Sequence, residues 1–153
     1  MTEPKICMID PAFFIDKENL SEMNQDEKRP YLALKISIDM NDYYVPFESK
    51  LHMHPGLINK SLICLPYQTE DEEFPTAGIN FEKTLIINDP NYIIETGSIR
   101  NNQFNEITLK WDFITRQFEK YVKDYIFYRK KGLRMPFRFK YSTLVYFHNE
   151  LNI

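Results

Sequence analysis

Five groups that can move protons or hold charge lie close together near the middle of the chain. Glu48, Ser49, Lys50, His52 and His54 bring a carboxylate, a hydroxyl, an amine and two imidazoles into one short stretch. Cleavage of RNA without a metal ion needs a base for the ribose 2′-hydroxyl, an acid for the leaving 5′-oxygen and cations for the phosphate charge. Histidine can act as base or acid near neutral pH, and lysine can carry the charge stabilisation. The stretch therefore predicts metal-free RNA-cleaving chemistry, with a solvated loop as the alternative.

Other chemistries have weaker support in the sequence. His52 and His54 could share a metal ion, but no third ligand follows at a usual spacing, so we predict no metal site. The four glycines form no phosphate-binding or dinucleotide-binding motif, and we predict no cofactor. His148 lies among apolar residues at helical spacing, which favours a core or interface histidine.

A second set of candidate residues lies in a basic segment near the C-terminus. Residues 1–99 contain 8 Lys+Arg against 17 Asp+Glu, whereas residues 100–153 contain 11 against 5, within a net charge of −3. An acidic first part and a basic last third are typical of a molecule with one face toward a polyanion. The segment combines cations, a tyrosine and hydroxyls suited to RNA: Arg134, Arg138, Lys140, Tyr141, Ser142 and Thr143. The alternative is a basic strand entering a helix.

The stretch of candidate residues from Glu48 to His54 follows a predicted β-hairpin. Apolar residues alternate with others over 32–39, which predicts a strand with one buried face. Met40, Asn41 and Asp42 supply the turn, and 43–45 form a short return strand that Pro46 limits. We therefore expect 47–56 to leave the sheet as a loop.

The rest of the chain predicts further short strands and a long helix in a single α+β domain, 1–153. Apolar runs at 6–9, 62–65, 84–87 and 92–94 predict strands, and Asp10 and Pro11 start a helical turn after the first. A stripe with steps of three and four predicts one helix over 105–131, ended by Gly132. A short helix, capped by Ser142 or Thr143, is predicted within 141–151.

Composition indicates a folded cytoplasmic protein. Of the 153 residues 43% are hydrophobic and 27% are charged, which suits one domain with one core. No apolar run approaches the ~20 residues that a membrane-spanning helix needs. The first residues carry an acid and prolines where an export signal would be basic and then apolar, so we predict no export. Cys7 and Cys64 are expected to be free thiols.

Several segments together resemble a known family. They are RPY at 29–31, YVPFxS at 44–49, GINFxKxLII at 78–87 and FKYSTLxxFHxEL at 139–151. In this order and spacing they resemble the endoribonuclease toxins of type III toxin–antitoxin systems, the ToxN/AbiQ group, and most closely its TenpN branch. The resemblance covers most of the chain.

The resemblance implies a compact, highly curved antiparallel sheet like the MazF/PemK barrel, surrounded by helices. It also implies metal-independent cleavage of RNA at preferred sequences, with 2′,3′-cyclic phosphate and 5′-hydroxyl ends. The implied partner is a small repeat-encoded RNA antitoxin that folds as a pseudoknot and forms a closed ring with the toxin. The implied roles are growth arrest and defence against phage.

The family's site residues carry over in part. Ser49 keeps the family's serine, and Glu48 stands where a threonine is found. Arg29 replaces a lysine and keeps the charge without the ability to give up a proton. Lys50 is the nearest equivalent of a second lysine, one position out of register.

These positions give a set of expected roles. Ser49 would orient the phosphate, and Arg29 and Lys50 would stabilise its charge. His54 or His52 would move protons. Tyr31 and Lys83, which lie in the matching segments, are expected to contact RNA.

Two other functions fit the same residues. A non-catalytic RNA-binding module would use the basic segment and its tyrosine. A protein-binding adaptor would use an exposed strand edge, and the acidic residues within 69–75 favour it.

Overall fold

The computed structural model of the chain describes residues 3–17, 20, 31–51, 62–68, 76–95 and 97–153. At residues 49, 50, 62, 64–68 and 76 it describes the backbone alone. No helix within these ranges is long and apolar enough to cross a membrane.

Strands and helices in these ranges form an α+β fold, as the sequence predicted. The strands are β1 (Lys5–Ile9), β2 (Tyr31–Ile38), β3 (Asn41–Leu51), β4 (Leu62–Gln68), β5 (Thr76–Asn80), β6 (Leu85–Ile86) and β7 (Ile93–Ile94). The helices are α1 (Pro11–Asp16), α2 (Asn101–Leu109), α3 (Trp111–Lys131) and α4 (His148–Leu151). Short 3₁₀ turns occupy Phe81–Lys83, Pro90–Tyr92, Phe137–Phe139 and Thr143–Tyr146.

The strands form an antiparallel sheet in the order β4-β5-β3-β2-β1-β7, with β6 also paired to β3. Within the described strands the edges β4 and β7 do not pair with each other, so the predicted barrel closure was wrong for this part of the chain. Closure requires strand edges that offer several backbone groups to each other. β7 has only two residues, both already paired with Met8 and Ile9 of β1.

Strand β3 is longer than predicted and changes partner along its length. Its first half pairs with β2 as far as Pro46, and its second half pairs with β5 from Phe47 to Leu51. Pro46 lacks an N–H and ends one ladder, but the β5 backbone then takes over. Ser49 and Lys50 therefore lie in a strand with an irregular register, and the prediction of a loop from residue 47 was wrong for residues 47–51.

The hairpin turn is also tighter than predicted. Asn41 and Asp42 already pair with Ile38 and Ser37, so the turn consists of Asp39 and Met40. Asp39 adopts a φ of 53°, a left-handed conformation that short polar side chains tolerate.

Two helices replace the single helix predicted over 105–131. Lys110, with φ −100° and ψ 13°, separates α2 from α3. The N–H of Lys110 still bonds to the Glu106 carbonyl, and the N–H of Ile114 bonds to the Lys110 carbonyl. Lys110 thus closes the last turn of α2 and opens the first turn of α3, and because only this one residue separates the helices, the apolar spacing gave no sign of the bend. Gly132 ends α3 with a φ of 63°, as predicted.

Two predicted helix caps, Asp10 and Ser142, are present in the structure. Asp10 caps α1 by accepting from the Ala12 N–H at 2.9 Å. Ser142 caps the turn Thr143–Tyr146 by accepting from the Leu144 N–H at 3.3 Å. The predicted C-terminal helix is instead this 3₁₀ turn followed by α4.

Candidate nucleic-acid interface

A polar cluster surrounds the end of β3. The Lys83 Nζ lies 2.8 Å from Glu48 Oε1, and the Asn80 amide donates to the same oxygen at 3.3 Å. We call Glu48, Asn80 and Lys83 the Glu48 cluster. The Lys83 side chain is 55% exposed, whereas that of Glu48 is 19% exposed. The cluster therefore holds the Lys83 ammonium at the surface beside Glu48. Glu48 directly precedes Ser49 in the chain.

The 3₁₀ turn Phe81–Lys83 sets the position of Lys83. Asn80 caps the start of the turn, because its side-chain oxygen accepts from the Glu82 N–H at 2.9 Å. The turn lies between β5 and β6, which pair with β3 on either side of Val45 and Pro46. It fills the interval in which β3 has no ladder partner on that edge. Burial raises the pKa of the Glu82 carboxyl, and the nearby Glu48 charge adds to the effect.

Tyr31, the first residue of β2, has a buried hydroxyl. Among the described residues, that hydroxyl has no hydrogen-bond partner. Burial raises the pKa of Tyr31, and the charge of Glu48 raises it further. The ring packs against Phe14, with centroids 5.0 Å apart. Tyr31 therefore supports β2 from within the fold, and its predicted contact with RNA stays a prediction.

Ser142 and Thr143 fasten the C-terminal segment to α3 and to the backbone around the turn Phe81–Lys83. The Tyr121 hydroxyl donates to Ser142 Oγ at 2.9 Å. The Thr143 hydroxyl lies 3.1 Å from the Glu82 carbonyl oxygen and also bonds the Thr84 carbonyl. Both residues are buried. Their hydroxyls serve internal contacts, and the RNA contacts predicted for Ser142 and Thr143 stay predictions.

Cations and exposed rings meet just before these two residues. Arg134 and Lys140 are exposed, and the rings of Phe137 and Tyr141 are 63% and 66% exposed. The Lys140 Nζ lies 5.6 Å from the Phe137 ring centroid and 5.4 Å from that of Tyr141. We call Arg134, Phe137, Lys140 and Tyr141 the aromatic–basic patch. Sequence reasoning named three of them and missed Phe137, although its place between two basic residues was a usable signal.

Arg138, also predicted to bind RNA, is engaged within the fold. Its guanidinium lies 2.6 Å from the Asp124 carboxylate and 4.7 Å from the centroid of the Phe139 ring. Lys120 donates to the same carboxylate at 2.7 Å. Burial alone would raise the pKa of Asp124, but these two cations and their hydrogen bonds lower it. Arg138 therefore ties the turn Phe137–Phe139, which carries Phe137 of the patch, to α3. A role for Arg138 in binding RNA stays a prediction.

The remaining candidate residues are covered only in part. Arg29, His52 and His54 lie outside the described residues, and Ser49 and Lys50 are described by their backbone alone. Among the described side chains, no group of three or more His, Cys, Asp and Glu could hold a metal ion. The structure thus brings Lys83 next to the strand that carries Ser49 and Lys50. The aromatic–basic patch lies elsewhere in the chain, in the segment that leads to Ser142 and Thr143.

His148 is partly buried, and its protonation is expected to change the stability of the fold. Its Nε2 lies 2.7 Å from the Tyr125 hydroxyl. Burial lowers the pKa of His148 below its usual range, and the charge of Arg129 lowers it further. The unfolded chain therefore binds the proton more readily, and the free energy of unfolding falls as the pH drops below about 6.5. Urea unfolding at several pH values measures this loss, and His148→Gln should make it smaller. An equal loss in parent and variant would show that His148 does not contribute to it.

Comparison with known proteins finds a similar fold among solved structures. No family model and no curated protein matches the sequence. One solved structure that matches comes from work on bacterial type III toxin–antitoxin systems, in which a non-coding RNA pseudoknot selectively inhibits the toxin. The match covers 78% of this chain and 77% of that chain, with a TM-score of 0.60 and 14% sequence identity. The two chains therefore share a fold, as the resemblance noted in the sequence predicted.

Proposed function

We propose that this chain is the toxin of a type III toxin–antitoxin system and that it cleaves RNA at preferred sequences without a metal ion. The observation that carries the proposal is the shared fold with a chain from a system whose toxin is inhibited by an RNA pseudoknot. The four sequence segments that resemble the ToxN/AbiQ group, and within it the TenpN branch, support the same conclusion. The aromatic–basic patch supplies a surface of the type that RNA needs.

The proposed reaction uses the RNA's own 2′-hydroxyl as the nucleophile. The 2′-oxygen loses its proton to a base and attacks the adjacent phosphorus, and the bond from phosphorus to the 5′-oxygen breaks. An acid protonates the departing 5′-oxygen, which leaves a 2′,3′-cyclic phosphate and a 5′-hydroxyl. His54 or His52 would move these protons, Ser49 would orient the phosphate, and Arg29 and Lys50 would stabilise its charge.

Lys83 adds a cation to this set. Its ammonium is held at the surface by Glu48, whose neighbour in the chain is Ser49. A phosphate that reaches the surface beside Glu48 would meet a positive charge that is already positioned. We therefore assign Lys83 to the stabilisation of phosphate charge.

The proposed partners follow from the same function. The chain would be inhibited by a small repeat-encoded RNA antitoxin and would alternate with it in a closed ring. Free toxin would cleave cellular or phage RNA in the cytoplasm, arrest growth and so limit phage infection.

A non-catalytic RNA-binding protein is the second candidate. The aromatic–basic patch favours it, because exposed rings flanked by cations bind RNA whether or not a cleavage site is present. Such a protein would bind RNA with strong salt dependence and leave it intact.

Expression in bacteria tests the proposed residues. Induction of the parent chain is expected to stop growth, and Ser49→Ala and His54→Ala are each expected to restore it because the cleavage step is lost. Ser98→Ala, at an exposed serine elsewhere, is the control and should stay toxic. Growth and the amount of protein are measured together. If both site variants were as toxic as the parent, the assignment of these two residues would be wrong.

A further inference from the structure

The surface between α3 and α4 carries more positive charge than the fold requires. From residue 129 to residue 141 the chain has Arg129, Lys130, Lys131, Arg134, Arg138 and Lys140, with no Asp or Glu. Cations in the last turn of a helix offset the partial negative charge of its C-terminus, which accounts for the first three. Arg138 is paired with Asp124. Arg134 and Lys140 lie beyond the helix, and in the described structure neither has an acidic partner.

The same surface exposes aromatic rings at some cost to stability. Phe137 and Tyr141 leave most of their area in water, although burial of a ring is normally favourable. Phe137 borders an open depression of about 580 Å³, which Arg134, Met135, Pro136 and Lys140 complete. This volume lies in the range of small-molecule sites, which is large enough for a nucleobase. The Lys140 ammonium lies close to both rings and links the depression to Tyr141.

We propose that the aromatic–basic patch binds unpaired RNA bases. One base stacks on Phe137 in the depression and a second stacks on Tyr141, while Lys140 and Arg134 contact the phosphates. In a duplex the faces of the bases are covered by their neighbours, so only single-stranded segments, loops and bulges can use such rings. The patch would select single-stranded RNA over duplex RNA. The inference rests on the proposed function, because it specifies which form of RNA an RNA-binding chain would bind.

Binding without cleavage is the direct test. RNA with 2′-O-methyl groups has no free 2′-hydroxyl to act as nucleophile, so its affinity can be measured by fluorescence anisotropy while it stays intact. The same sequence is compared as a single strand and as a perfect duplex. Phe137→Ala and Tyr141→Ala are each expected to weaken single-strand binding roughly five- to hundredfold and to leave duplex binding within about twofold of the parent. Phe137→Tyr should keep the affinity.

Two controls separate stacking from charge and from general damage. Phe113→Ala removes an exposed ring of α3, which is 48% exposed and outside the patch, and this variant should bind as the parent does. Lys140→Gln should lower the dependence of log affinity on log salt concentration by about one phosphate contact. Equal losses for single strand and duplex, or no loss in either ring variant, would overturn the proposal. Polyglutamate that competes as well as RNA of equal charge would overturn it too, since the patch would then bind any polyanion.

The binding result and the proposed nuclease activity can fail independently of each other. Cleavage is measured in a separate experiment on unmodified RNA. If the parent cleaves RNA while Phe137→Ala and Tyr141→Ala bind single strands normally, the nuclease stands and the patch inference fails. If the parent leaves RNA intact while both variants lose single-strand binding, the inference stands and the nuclease fails.

Discussion

Lys83→Ala is expected to slow RNA cleavage by about a hundredfold or more, the loss seen when one preorganised group that stabilises developing charge is removed. The Lys83 ammonium lies 2.8 Å from Glu48 Oε1, and its side chain is 55% exposed. Glu48 directly precedes Ser49 in β3. The charge on the phosphate grows in the transition state, so the loss should appear mainly in kcat. Single-turnover cleavage of a fixed RNA measures it, and Lys83→Arg should retain more of the rate than Lys83→Ala.

The chain offers a closely matched control for this variant. Lys123 also forms an ion pair of 2.8 Å, with Glu119, and its side chain is 59% exposed. An exposed pair such as that of Lys123 contributes at most about 1 kcal/mol to stability. Because the Lys83 side chain is also exposed, both alanine variants should fold. Lys123→Ala should cleave RNA at the parent rate. If Lys83→Ala cleaved as fast as Lys123→Ala, Lys83 would have no part in the reaction.

Phe118→Ala is expected to lower the free energy of unfolding by about 3–5 kcal/mol, the usual loss for a buried phenylalanine. Phe118 is fully buried on α3, with ring centroids 5.3 Å from Tyr43 and 5.2 Å from Phe81. Its removal would leave a cavity beside the residue that begins the turn carrying Lys83. Because domains are stable by only about 5–15 kcal/mol, this one change would remove much of the total.

Urea unfolding followed by circular dichroism measures this loss, with Phe127→Ala as its control. Phe127 lies on the same helix with 52% of its surface exposed, and its loss should cost less than about 0.5 kcal/mol. Similar losses for the two variants would contradict the packing described for α3.

Local signals in the sequence predicted much of this fold. The alternation over 32–39 gave β2, Asp10 and Pro11 gave the start of α1, and Gly132 gave the end of α3. Each depends on neighbours within one or two turns of the chain, so the sequence alone is sufficient. The buried stripe of α3, which includes Ile114 and Phe118, follows from its spacing in the same way.

Features that depend on distant partners were not predicted. β3 continues past Pro46 because β5, some thirty residues later in the chain, provides a new ladder. The ion pair of Glu48 with Lys83 joins two elements whose contact depends on that pairing. Phe137 was overlooked because its exposure is decided by the path of the chain after Gly132. Hydrophobicity alone would have placed it in the core.

The resemblance in sequence anticipated the fold but overstated the closure of its sheet. The described strands end at β4 and β7, which do not pair with each other. The roles of Arg29, Ser49, Lys50, His52 and His54 remain predictions for mutagenesis.

The most direct test of the proposed function is to incubate the purified chain with a mixture of RNAs in EDTA and to identify the ends of the products. The proposal predicts discrete fragments with 2′,3′-cyclic phosphate and 5′-hydroxyl ends, because the 2′-oxygen is the nucleophile and no metal ion takes part. RNA that stays intact after long incubation with folded protein would contradict the proposal that this chain is a metal-independent endoribonuclease.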